Sequence, residues 1–571
     1  MKKPRTLLVT PRFVEKKGDY YNFPLGLAYI SSSLKQAGFE VECLNLNHYD
    51  NAEAVLRKVI RTREIDVVGT GAISPFYRQV RQIYDVARDT RPDIITLGGG
   101  GIISSDPTLM LELLEIDYGV FGEGEETTIE LMTALEQGGD ISKISGLAYR
   151  DRKTQQFVKN CARKPTRDLD SLPWPDYDSF DIEHYIEQAL STDFMHSYVH
   201  DKPREAPLIA SRSCPFDCTF CYLPMGRIYR ERTLDGFFSE IEFLLDKYKL
   251  NILTIYDDLF AVKKDRLIEF CSRIKKYNIP WISQLRVNVV DTDTLRLMKD
   301  AGCYYISYGL ESGSPTILKS MKKKITVEDI NRTVAATKAM KIGFQGNFLF
   351  GDTNETWDTV LESVEWYRQH PEYQILLIPV GAFPGAEIYE VAVKEGRIPD
   401  KKAFIRAGSP LTNISKLSDD EYQKMLYLLA ETANTLRITP KVIKQRKQPD
   451  LSLGRTVWEI TFCCPHCKEE STYKNVRLHD HAFTLTGCRR CHGRFWFEPI
   501  RHPLTRFLDL KYMKQRFARY GLRATLVKSL AFVVFQLLRL LGKKPERNRI
   551  EQLIDPLLPR FPARSVLGKP T

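Results

Sequence analysis

Apolar runs of strand length alternate with helix-type patterns over residues 1–140 and 206–395, and this alternation limits the possible fold more than any other feature. In the first region the runs include "TLLVT", "IDVVGTGA" and "DIITLGGGG", and helical stretches such as "PLGLAYISSSLKQAG" separate them. Strands alternating with helices at this spacing form parallel sheets with helices on both faces. The sequence therefore predicts an α/β chain whose first domain, residues 1–140, is a doubly wound parallel sheet.

Three of the predicted strand ends in this domain are rich in glycine. In doubly wound sheets ligands bind beyond the carboxyl ends of the strands, and glycine lets a bulky ligand approach the backbone. Any one of these ends is equally well explained as a tight turn, because glycine is common in turns. Three on one edge favour a ligand cleft, and they lie at Gly69–Gly71, Gly98–Gly101 and Gly122–Gly124.

A C-x3-C-x2-C motif, Cys214, Cys218 and Cys221, follows the apolar run "PLIAS". Intracellular iron–sulfur clusters are usually held by four cysteine thiolates. A cluster with three protein ligands leaves one iron open, which is what a catalytic metal site requires and a structural site lacks. The motif predicts such a cluster, and the alternative is a zinc site or three inert thiols.

Five further apolar runs follow the cysteines, from "NILTIYDDLF" to "QILLIPVGAFPGAEIY", with helical patterns between them. Six βα units predict a partial (β/α)6 barrel over residues 206–395, with its chemistry at the carboxyl ends of the strands. Residues 141–205 are predicted to be a linker that begins with a hairpin, because "RDLDSLPWPDYDSF" is punctuated by proline. Residues 396–454 are predicted to form a helical extension.

The cysteine motif, with Phe220 before its third cysteine, resembles the radical S-adenosylmethionine (SAM) superfamily. The resemblance implies a [4Fe-4S] cluster on the three cysteines, with SAM bound to the open iron. It also implies that SAM is cleaved there to a 5′-deoxyadenosyl radical. It also implies an electron donor such as flavodoxin or ferredoxin. The side chains or loops that the resemblance places around SAM are Tyr222, Asp257, Asp258, Arg286, Glu311, Gly351 and Glu355.

Several of these residues also have structural explanations. Asp257 and Asp258 are alternatively caps of the next helix, and Glu311 is alternatively an ion-pair partner at the barrel end. The "GDTNET" loop has Thr353 where the superfamily more often has proline, which weakens the assignment of Glu355.

Residues 1–140 resemble the cobalamin-binding domain that precedes many radical SAM enzymes, through "PLGLAYISSSLKQAG", "IDVVGTGAIS", "ITLGGGG" and "GEGEET". The resemblance implies that a short set of residues lines the corrin and its nucleotide tail: Ser74, Gly98, Gly99, Gly100, Glu123 and Gly124. The D-x-H-x-x-G motif of many cobalamin proteins is missing, and His48 has other neighbours. The resemblance therefore implies a cobalt without that histidine ligand, or a domain that has lost the cofactor.

Together the two resemblances imply an enzyme that transfers a methyl group from methylcobalamin to an unactivated carbon of an unknown small molecule or lipid. A cobalamin-dependent rearrangement, cyclisation or oxidation is the nearest alternative. A methylthiotransferase is disfavoured because the extra N-terminal cysteine trio of such enzymes is missing. An alternative of another class is a non-catalytic cobalamin or redox sensor, or a membrane-docked scaffold.

A second cysteine group, in residues 455–500, consists of two C-x2-C pairs. Each pair follows a β-rich run, which is typical of a zinc ribbon, and an iron site or auxiliary cluster is the alternative. The predicted zinc ligands are Cys464, Cys467, Cys488 and Cys491. Cys463 is expected to be a bystander, and the nearby histidines are expected to be solvated turn residues: His466, His479, His481 and His492.

The net charge of +11 comes from the end of the chain, because residues 501–571 hold 16 Lys and Arg against 4 Asp and Glu. These residues are predicted to form a basic helical tail, whose apolar stretch 529–541 fits either an interfacial membrane helix or a helix packed on protein. Nucleic acid is not predicted as a partner, because the remaining chain is nearly neutral. No secretion signal is found, so the expected location is the cytoplasm, with contact at the inner membrane surface if the tail binds lipid.

Overall fold

The computed structural model describes residues 3–151, 153–450, 455–478 and 483–497, together with Val534. Two compact units are distinguished, and one of them, Met1–Arg477 with Leu485–Trp496, contains both large sheets and both cysteine groups. The predicted tail lies outside the described residues except for Val534, as do His479 and His481. Among the described residues, no helix has the length and apolar character needed to cross a bilayer.

A seven-stranded sheet forms the first part of the chain, with the strand order β2-β1-β3-β4-β5-β6-β7. The first five strands in this order are parallel, which confirms the predicted α/β architecture with a parallel sheet. The strands are β1 (Thr6–Thr10), β2 (Val41–Asn45), β3 (Val67–Gly71), β4 (Ile95–Gly99), β5 (Tyr118–Val120), β6 (Leu147–Arg150) and β7 (Phe157–Lys159).

Helices cover both faces of this sheet because alternate strand residues are apolar on both sides. Leu7 and Val9 pack under two helices on one face, with Leu56 and Ile83. On the other face Val67 and Leu97 pack with Leu34 and Leu131. The helices are α1 (Leu25–Gln36), α2 (Ala52–Thr62), α3 (Tyr77–Thr90), α4 (Gly100–Ser105), α5 (Pro107–Leu114) and α6 (Glu125–Gln137).

The hairpin predicted within the 141–205 linker is β6 and β7, and it belongs to the sheet. β5 pairs antiparallel with β6, and β6 with β7, so the sheet continues past residue 140. Proline punctuation marks the chain only after this hairpin, which explains why sequence reasoning ended the domain too early. The rest of the connection contains the short helix α7 (Ile182–Gln188).

The second large sheet has six strands, all parallel, in the order β8-β11-β12-β13-β14-β15. A separate antiparallel pair, β9 (Ser211–Arg212) and β10 (Arg230–Glu231), follows β8. The six strands are β8 (Pro207–Leu208), β11 (Leu253–Ile255), β12 (Trp281–Leu285), β13 (Cys303–Glu311), β14 (Gly343–Phe350) and β15 (Leu376–Pro379).

Helices pack against one face of this sheet, where Trp281, Ile306 and Phe348 meet Met298 and Val364 in the largest core cluster. Since helices follow the strands along the chain, each parallel connection crosses on the same side. The helices are α8 (Leu234–Tyr248), α9 (Lys264–Ile274), α10 (Thr292–Asp300), α11 (Pro315–Ser320), α12 (Val327–Ala339), α13 (Trp357–Gln369), α14 (Glu387–Lys394), α15 (Lys401–Arg406) and α16 (Asp419–Thr435).

The predicted helical extension 396–454 is helical only as far as α16. It continues as the strand β16 (Lys441–Asp450), which pairs antiparallel with β17 (Arg455–Cys463), so the helical prediction is wrong for residues 441–450. The pairing partner is supplied by residues further along the chain, which local patterns do not reveal. β18 (Glu470–Val476) completes this sheet, and β19 (Thr484–Gly487) pairs with β20 (Arg494–Phe497).

Candidate functional site

The cysteine loop runs from β9 to β10, at the carboxyl end of β8. Cys218 is buried, and Cys214 and Cys221 are half-buried. Ser213, just before the first cysteine, has a left-handed backbone with φ of 69°, a conformation that non-glycine residues seldom adopt. The loop is tied to the sheet end because Thr219 N donates to Met321 O at 3.2 Å. The three thiols are thus presented on a fixed loop at the strand ends.

The three thiols of this loop are more widely spaced than the four of the second cysteine group. Among the described residues, only the second cysteine group brings its ligand atoms within 4.8 Å of one another, so the trio does not converge on one ion. A cubane of iron and sulfide is wider than a single zinc ion and fits thiolates that stand further apart. Burial raises the pKa of the Cys221 thiol to about 12, so this thiol stays protonated until a metal displaces its proton.

The two aspartates at the end of β11 have different surroundings. Asp257 is 1% exposed, accepts from Ala210 N at 2.8 Å and from Ser211 Oγ at 2.7 Å, and so fixes the start of the cysteine loop. Burial raises the pKa of Asp257 to about 7. Asp258 is exposed and close enough to Cys214 and Cys221 to raise the pKa of both thiols. Neither aspartate caps α9, which begins without a side-chain cap.

Arg286 lies beside the cysteine loop at the end of β12. It is 5% exposed, its guanidinium stacks on the Phe216 ring at 3.7 Å, and it donates to Lys323 O. Its Nε is buried without a hydrogen-bond partner. An unpaired buried donor is costly, so this atom is suited to a ligand that is bound next to the thiols.

Glu311 and Glu355 make bonds within the protein. Glu311, with φ of 68°, pairs with Lys323 Nζ at 2.7 Å, which is the ion pair that sequence reasoning kept as the alternative. Glu355 is 1% exposed and accepts from Gly351 N at 3.1 Å and from Thr359. Glu355 therefore closes its own loop, around the left-handed Gly351, and burial raises the pKa of this carboxyl to about 7.

Tyr222 joins the cysteine loop to the first domain. Its hydroxyl donates to Gly101 O at 2.9 Å, and its ring packs beside Gly101 and Gly385. A Cβ at Gly385 would lie 2.4 Å from the ring. This contact brings the cysteine loop against the glycine-rich end of β4, which was predicted to hold a different cofactor.

The three glycines at the end of β4 have different structural roles. A Cβ on Gly98 would lie 2.6 Å from Ile116 Cδ1, so Gly98 is required for packing and does not face a ligand. Gly100 has φ of 74° and turns the chain into α4. Gly99 has nothing within 4 Å of its Cβ position, so it borders open space. Of the three, only Gly99 leaves room for a ligand, and its contact with cobalamin stays a prediction.

Polar atoms without partners lie at the same edge. Thr10 Oγ1 at the end of β1 and Thr70 Oγ1 near the end of β3 are both buried and have no hydrogen-bond partner. β1 and β3 are the strands between which a doubly wound sheet of this order reverses direction, which is where such sheets bind ligands. Open space at Gly99 and two orphan hydroxyls fit a large polar ligand such as cobalamin. Ser74 lies after β3 and is 5% exposed.

His48 lies three residues beyond the end of β2 and contacts side chains of the protein. Its Nε2 lies 2.6 Å from the Tyr21 hydroxyl and its ring lies 4.3 Å from that of His184. Burial lowers the pKa of His48 to about 4.

Glu123 and Gly124 do not line an open cleft. Glu123 is 7% exposed, accepts from Thr166 N at 2.7 Å and pairs with Arg230 at 2.7 Å and with Arg212 at 3.3 Å. A Cβ on Gly124 would lie 2.9 Å from Ile30 Cδ1, so Gly124 packs against α1. The expectation that these two residues contact a corrin is replaced by a packing and ion-pair role, which depends on arginines about 100 positions away along the chain.

The second cysteine group converges on a point. Cys464 Sγ lies 3.8 Å from Cys491 Sγ, and Cys467 Sγ lies 3.6 Å from Cys488 Sγ. Four sulfurs placed 2.3 Å from a central zinc ion form a tetrahedron with an edge of about 3.8 Å. Backbone amides of His466 and Arg490 donate to Cys464 Sγ and Cys488 Sγ, each at 3.4 Å, which stabilises thiolates. The geometry fits one tetrahedral ion.

Of the described histidines near this group, His492 is buried, so the expectation of a solvated residue is wrong for it, whereas His466 is half-buried. His492 is 8% exposed, and its Nδ1 lies 3.0 Å from the Tyr198 hydroxyl. His466 Nε2 lies 2.8 Å from Arg494 O. The Cys488–Cys491 pair is therefore packed against Tyr198 through His492, and such a contact cannot be deduced from the local sequence.

The segment that holds the second cysteine group, residues 464–494, is called the cysteine module here. It contacts the amino ends of the strands of the second sheet. Arg489 donates to Tyr198 O at 2.8 Å and to Asp201 at 2.6 Å. Arg494 donates at 3.3 Å to the carbonyl of Phe344, the second residue of β14. The module therefore lies at the opposite ends of the strands from the three-cysteine loop, where it is able to support the fold and cannot reach the reacting atoms.

Two protein families match this chain. Residues 12–132 match the B12 binding domain, and residues 208–367 match the radical SAM superfamily. The first match begins after β1 and covers β2 to β5 with α1 to most of α6, and the second covers the end of β8 to most of α13.

Two curated relatives align with more than half of this chain. An uncharacterized methyltransferase of Pyrococcus horikoshii is 26% identical over 426 residues, which are 74% of this chain and 89% of that protein. The anaerobic magnesium-protoporphyrin IX monomethyl ester cyclase of Rubrivivax gelatinosus is 30% identical over 355 residues, which are 60% of this chain and 62% of that enzyme.

Solved structures share the fold. The radical SAM methyltransferase TsrM from Kitasatospora setae, with cobalamin and a [4Fe-4S] cluster bound, aligns with a TM-score of 0.57 at 22% identity, covering 70% of this chain and 76% of that one. The cobalamin-dependent SAM radical enzyme OxsB, with aqua-cobalamin and SAM bound, aligns with a TM-score of 0.57 at 16% identity, covering 96% and 79%.

Proposed function

Because this chain is a radical SAM enzyme with an N-terminal B12-binding domain, we propose that it methylates an unactivated carbon of its substrate. When bound, a [4Fe-4S] cluster supplies the electron that cleaves SAM, and methylcobalamin supplies the methyl group. The residues of this chain hold and separate the two cofactors. Cys214, Cys218 and Cys221 hold the cluster, and the edge around Gly99 holds cobalamin.

The Tyr222–Gly101 hydrogen bond carries this proposal. It ties the residue next to the third cysteine to the helix that begins at the glycine-rich edge of the first sheet. A carbon radical formed at the cluster loop would therefore be generated next to a domain suited to a methyl donor. Arg286, with its unpartnered Nε, and Asp258, near two of the thiols, are the side chains that we assign to SAM.

Anaerobic reconstitution tests the proposal. The protein with iron, sulfide, cobalamin and a strong reductant is expected to form 5′-deoxyadenosine from SAM, and a substrate is expected to gain one CH2 unit in mass. Cys218→Ala should abolish 5′-deoxyadenosine, whereas Cys161→Ala, which removes an exposed thiol, should not. Retained cleavage in Cys218→Ala would remove the cluster assignment.

A cobalamin-dependent rearrangement, cyclisation or oxidation is the second candidate, and the 30% identity to a cyclase from Rubrivivax gelatinosus favours keeping it. The two candidates differ in product mass. Formation of 5′-deoxyadenosine together with a product that has gained no carbon would support the second.

We also propose that Cys464, Cys467, Cys488 and Cys491 bind zinc in a structural site. The sulfur separations of 3.6 and 3.8 Å support one tetrahedral ion, and its place at the amino ends of the strands supports a role in stability. Metal analysis of protein made with and without added iron separates zinc from iron at this site.

Electrons for SAM cleavage are proposed to come from flavodoxin or ferredoxin. The basic residues of the tail support contact with an anionic surface on the cytoplasmic side of the inner membrane, and a helix packed on protein is the alternative. Sedimentation with vesicles tests membrane contact. If the tail binds an anionic surface, the full chain should sediment with phosphatidylglycerol vesicles and not with phosphatidylcholine vesicles, and a chain ending at residue 500 should sediment with neither.

A further inference from the structure

One face of the second sheet is apolar beneath the helices, and the other carries polar side chains in the middle of three strands, with apolar ones such as Ile282 and Leu349 beside them. Every second residue of three central strands belongs to the core beneath the helices, for example Trp281 of β12, Ile306 of β13 and Phe344 of β14. The residues between them point to the other face, because successive strand residues alternate. In the middle of these strands those residues are Gln284 of β12, Ser307 of β13 and Gln345 of β14.

These three side chains form one row. Gln284 is in register with Ser307, and Ser307 with Gln345. All three are half-buried, although they sit at the centre of a six-stranded sheet whose other face is fully buried, so the polar face borders an open space. Gln345 Nε2 donates to Ser307 Oγ at 3.0 Å.

The row still has unused hydrogen-bonding groups. The Gln284 carboxamide has no hydrogen-bond partner among the described residues. One step nearer the carboxyl end of β14, Asn347 Oδ1 is buried and also lacks a partner. Carboxamides and a hydroxyl offer both donors and acceptors. Such groups are stable in a partly buried space when a bound molecule or water completes their bonds.

Charged side chains on this face lie toward the strand ends. Arg286 and the Glu311–Lys323 pair are at the carboxyl ends. Toward the amino ends, the Glu205 carboxylate accepts from Thr254 Oγ1 at 2.7 Å, and its Oε2 lies 2.8 Å from His196 Nε2. The layer of Gln284, Ser307 and Gln345 between them carries no charge.

We propose that this carboxamide row, Gln284, Ser307 and Gln345 with Asn347 above it, is the substrate-binding site, and that its ligand is a neutral molecule with an amide-like edge of donor and acceptor. The nearest cations, Arg286 toward the carboxyl ends and Arg494 toward the amino ends, lie outside this layer, so an anion held within it would lose its hydration without pairing directly with a cation. A hydrocarbon chain would leave the carboxamides unpaired, and a site built from polar groups strongly rejects a ligand that cannot bond to them.

The proposed function enters only in identifying this ligand with the molecule that is methylated; the binding preference follows from the row itself. A lipid whose acyl chain enters the row is therefore excluded. The carboxamides also lie on the face that opens toward Arg286 and the cysteine loop, so a molecule held there is presented to the proposed SAM site.

Saturation-transfer NMR on the anaerobically reconstituted protein tests the preference without turnover. Three probes share one ring and differ in one group: benzamide, benzoate and toluene. We expect binding of benzamide and at least tenfold weaker binding of benzoate and toluene. Gln284→Leu should weaken benzamide binding at least fivefold, and Gln369→Leu, which changes an exposed carboxamide on α13, should leave it unchanged.

Gln284→Met is a second variant in case the branched leucine prevents folding, and circular dichroism checks each variant. Equal binding of benzoate or toluene, binding unaffected by both Gln284 variants, or no binding of any probe would each overturn the proposal. Because no probe has to react, a failure here is separate from a failure of methyl transfer. Absence of 5′-deoxyadenosine with selective benzamide binding would instead count against the proposed function alone.

Discussion

Arg212 and Glu125 form an ion pair with Nη2 and Oε1 2.6 Å apart, and each side chain is 7% exposed. Arg212 lies two residues before Cys214, and Glu125 begins α6 in the first domain. Glu123 adds bonds to Arg212 and to Arg230. Two arginines and two glutamates thus balance their charges in a buried network that joins the cysteine loop to the first sheet.

Glu125→Gln should destabilise the protein, because it leaves the buried Arg212 charge without a full partner. Breaking a buried pair from one side typically costs about 3–5 kcal/mol, and the amide that remains should reduce this to about 3 kcal/mol. Thermal unfolding of the reconstituted protein measures the change. Glu387→Gln is the matched control, since Glu387 pairs with Lys322 at 2.6 Å with both side chains 47% exposed. An exposed pair contributes at most about 1 kcal/mol.

The same variant separates positioning from simple stabilisation. If the network fixes the cysteine loop, amide hydrogen exchange in residues 213–222 should accelerate in Glu125→Gln under conditions where the protein stays folded, and should not in Glu387→Gln. Unchanged exchange in that loop, together with a lowered unfolding temperature, would show that the network stabilises the fold without positioning the loop.

Gly98 and Gly99 should respond in opposite ways to substitution. Gly98→Ala pushes a Cβ into Ile116 and Ile103, so it should lower the unfolding temperature and affect cobalamin only through the fold. Gly99→Val enters open space from an extended backbone with φ of −150°, so stability should be nearly unchanged. Cobalamin affinity should fall at least tenfold in Gly99→Val, and absorbance titration measures it. Full affinity in Gly99→Val would place cobalamin elsewhere.

Much of the architecture could be read from the sequence because it depends on local patterns. The strand TLLVT is β1, and the cysteine motif lies in the loop beyond β8, as the apolar run before it implied. Residue roles that depend on distant partners could not be read in this way. Glu123 sits in a glycine-rich turn typical of ligand binding, yet Arg230, 107 positions later, occupies its carboxylate. Gln284, Ser307 and Gln345 were missed because their alignment exists only in the strand register.

Asp257 should make stability depend on pH. Burial raises the pKa of Asp257 from 3.8 to about 7, so the folded protein holds this proton more tightly than the unfolded chain. Its contribution to stability is full below pH 3.8 and is lost as the pH rises toward 7, with a slope of at most about 1.4 kcal/mol per pH unit. Asp257→Asn should flatten this part of the profile, measured as unfolding temperature against pH. An unchanged slope in Asp257→Asn would assign the dependence to other groups.

The zinc assignment predicts a contrast between adjacent cysteines. Cys467→Ser removes one of four converging sulfurs, so bound zinc should fall from about one ion per chain to a small fraction of that. Because the module donates hydrogen bonds to Tyr198, Asp201 and the carbonyl of Phe344, losing the ion should lower the unfolding temperature by at least about 4 °C. Cys463→Ser, which changes the neighbour of a ligand, should keep both zinc and stability. Iron bound at the three-cysteine loop should be equal in the two variants, because the module lies at the opposite ends of the strands.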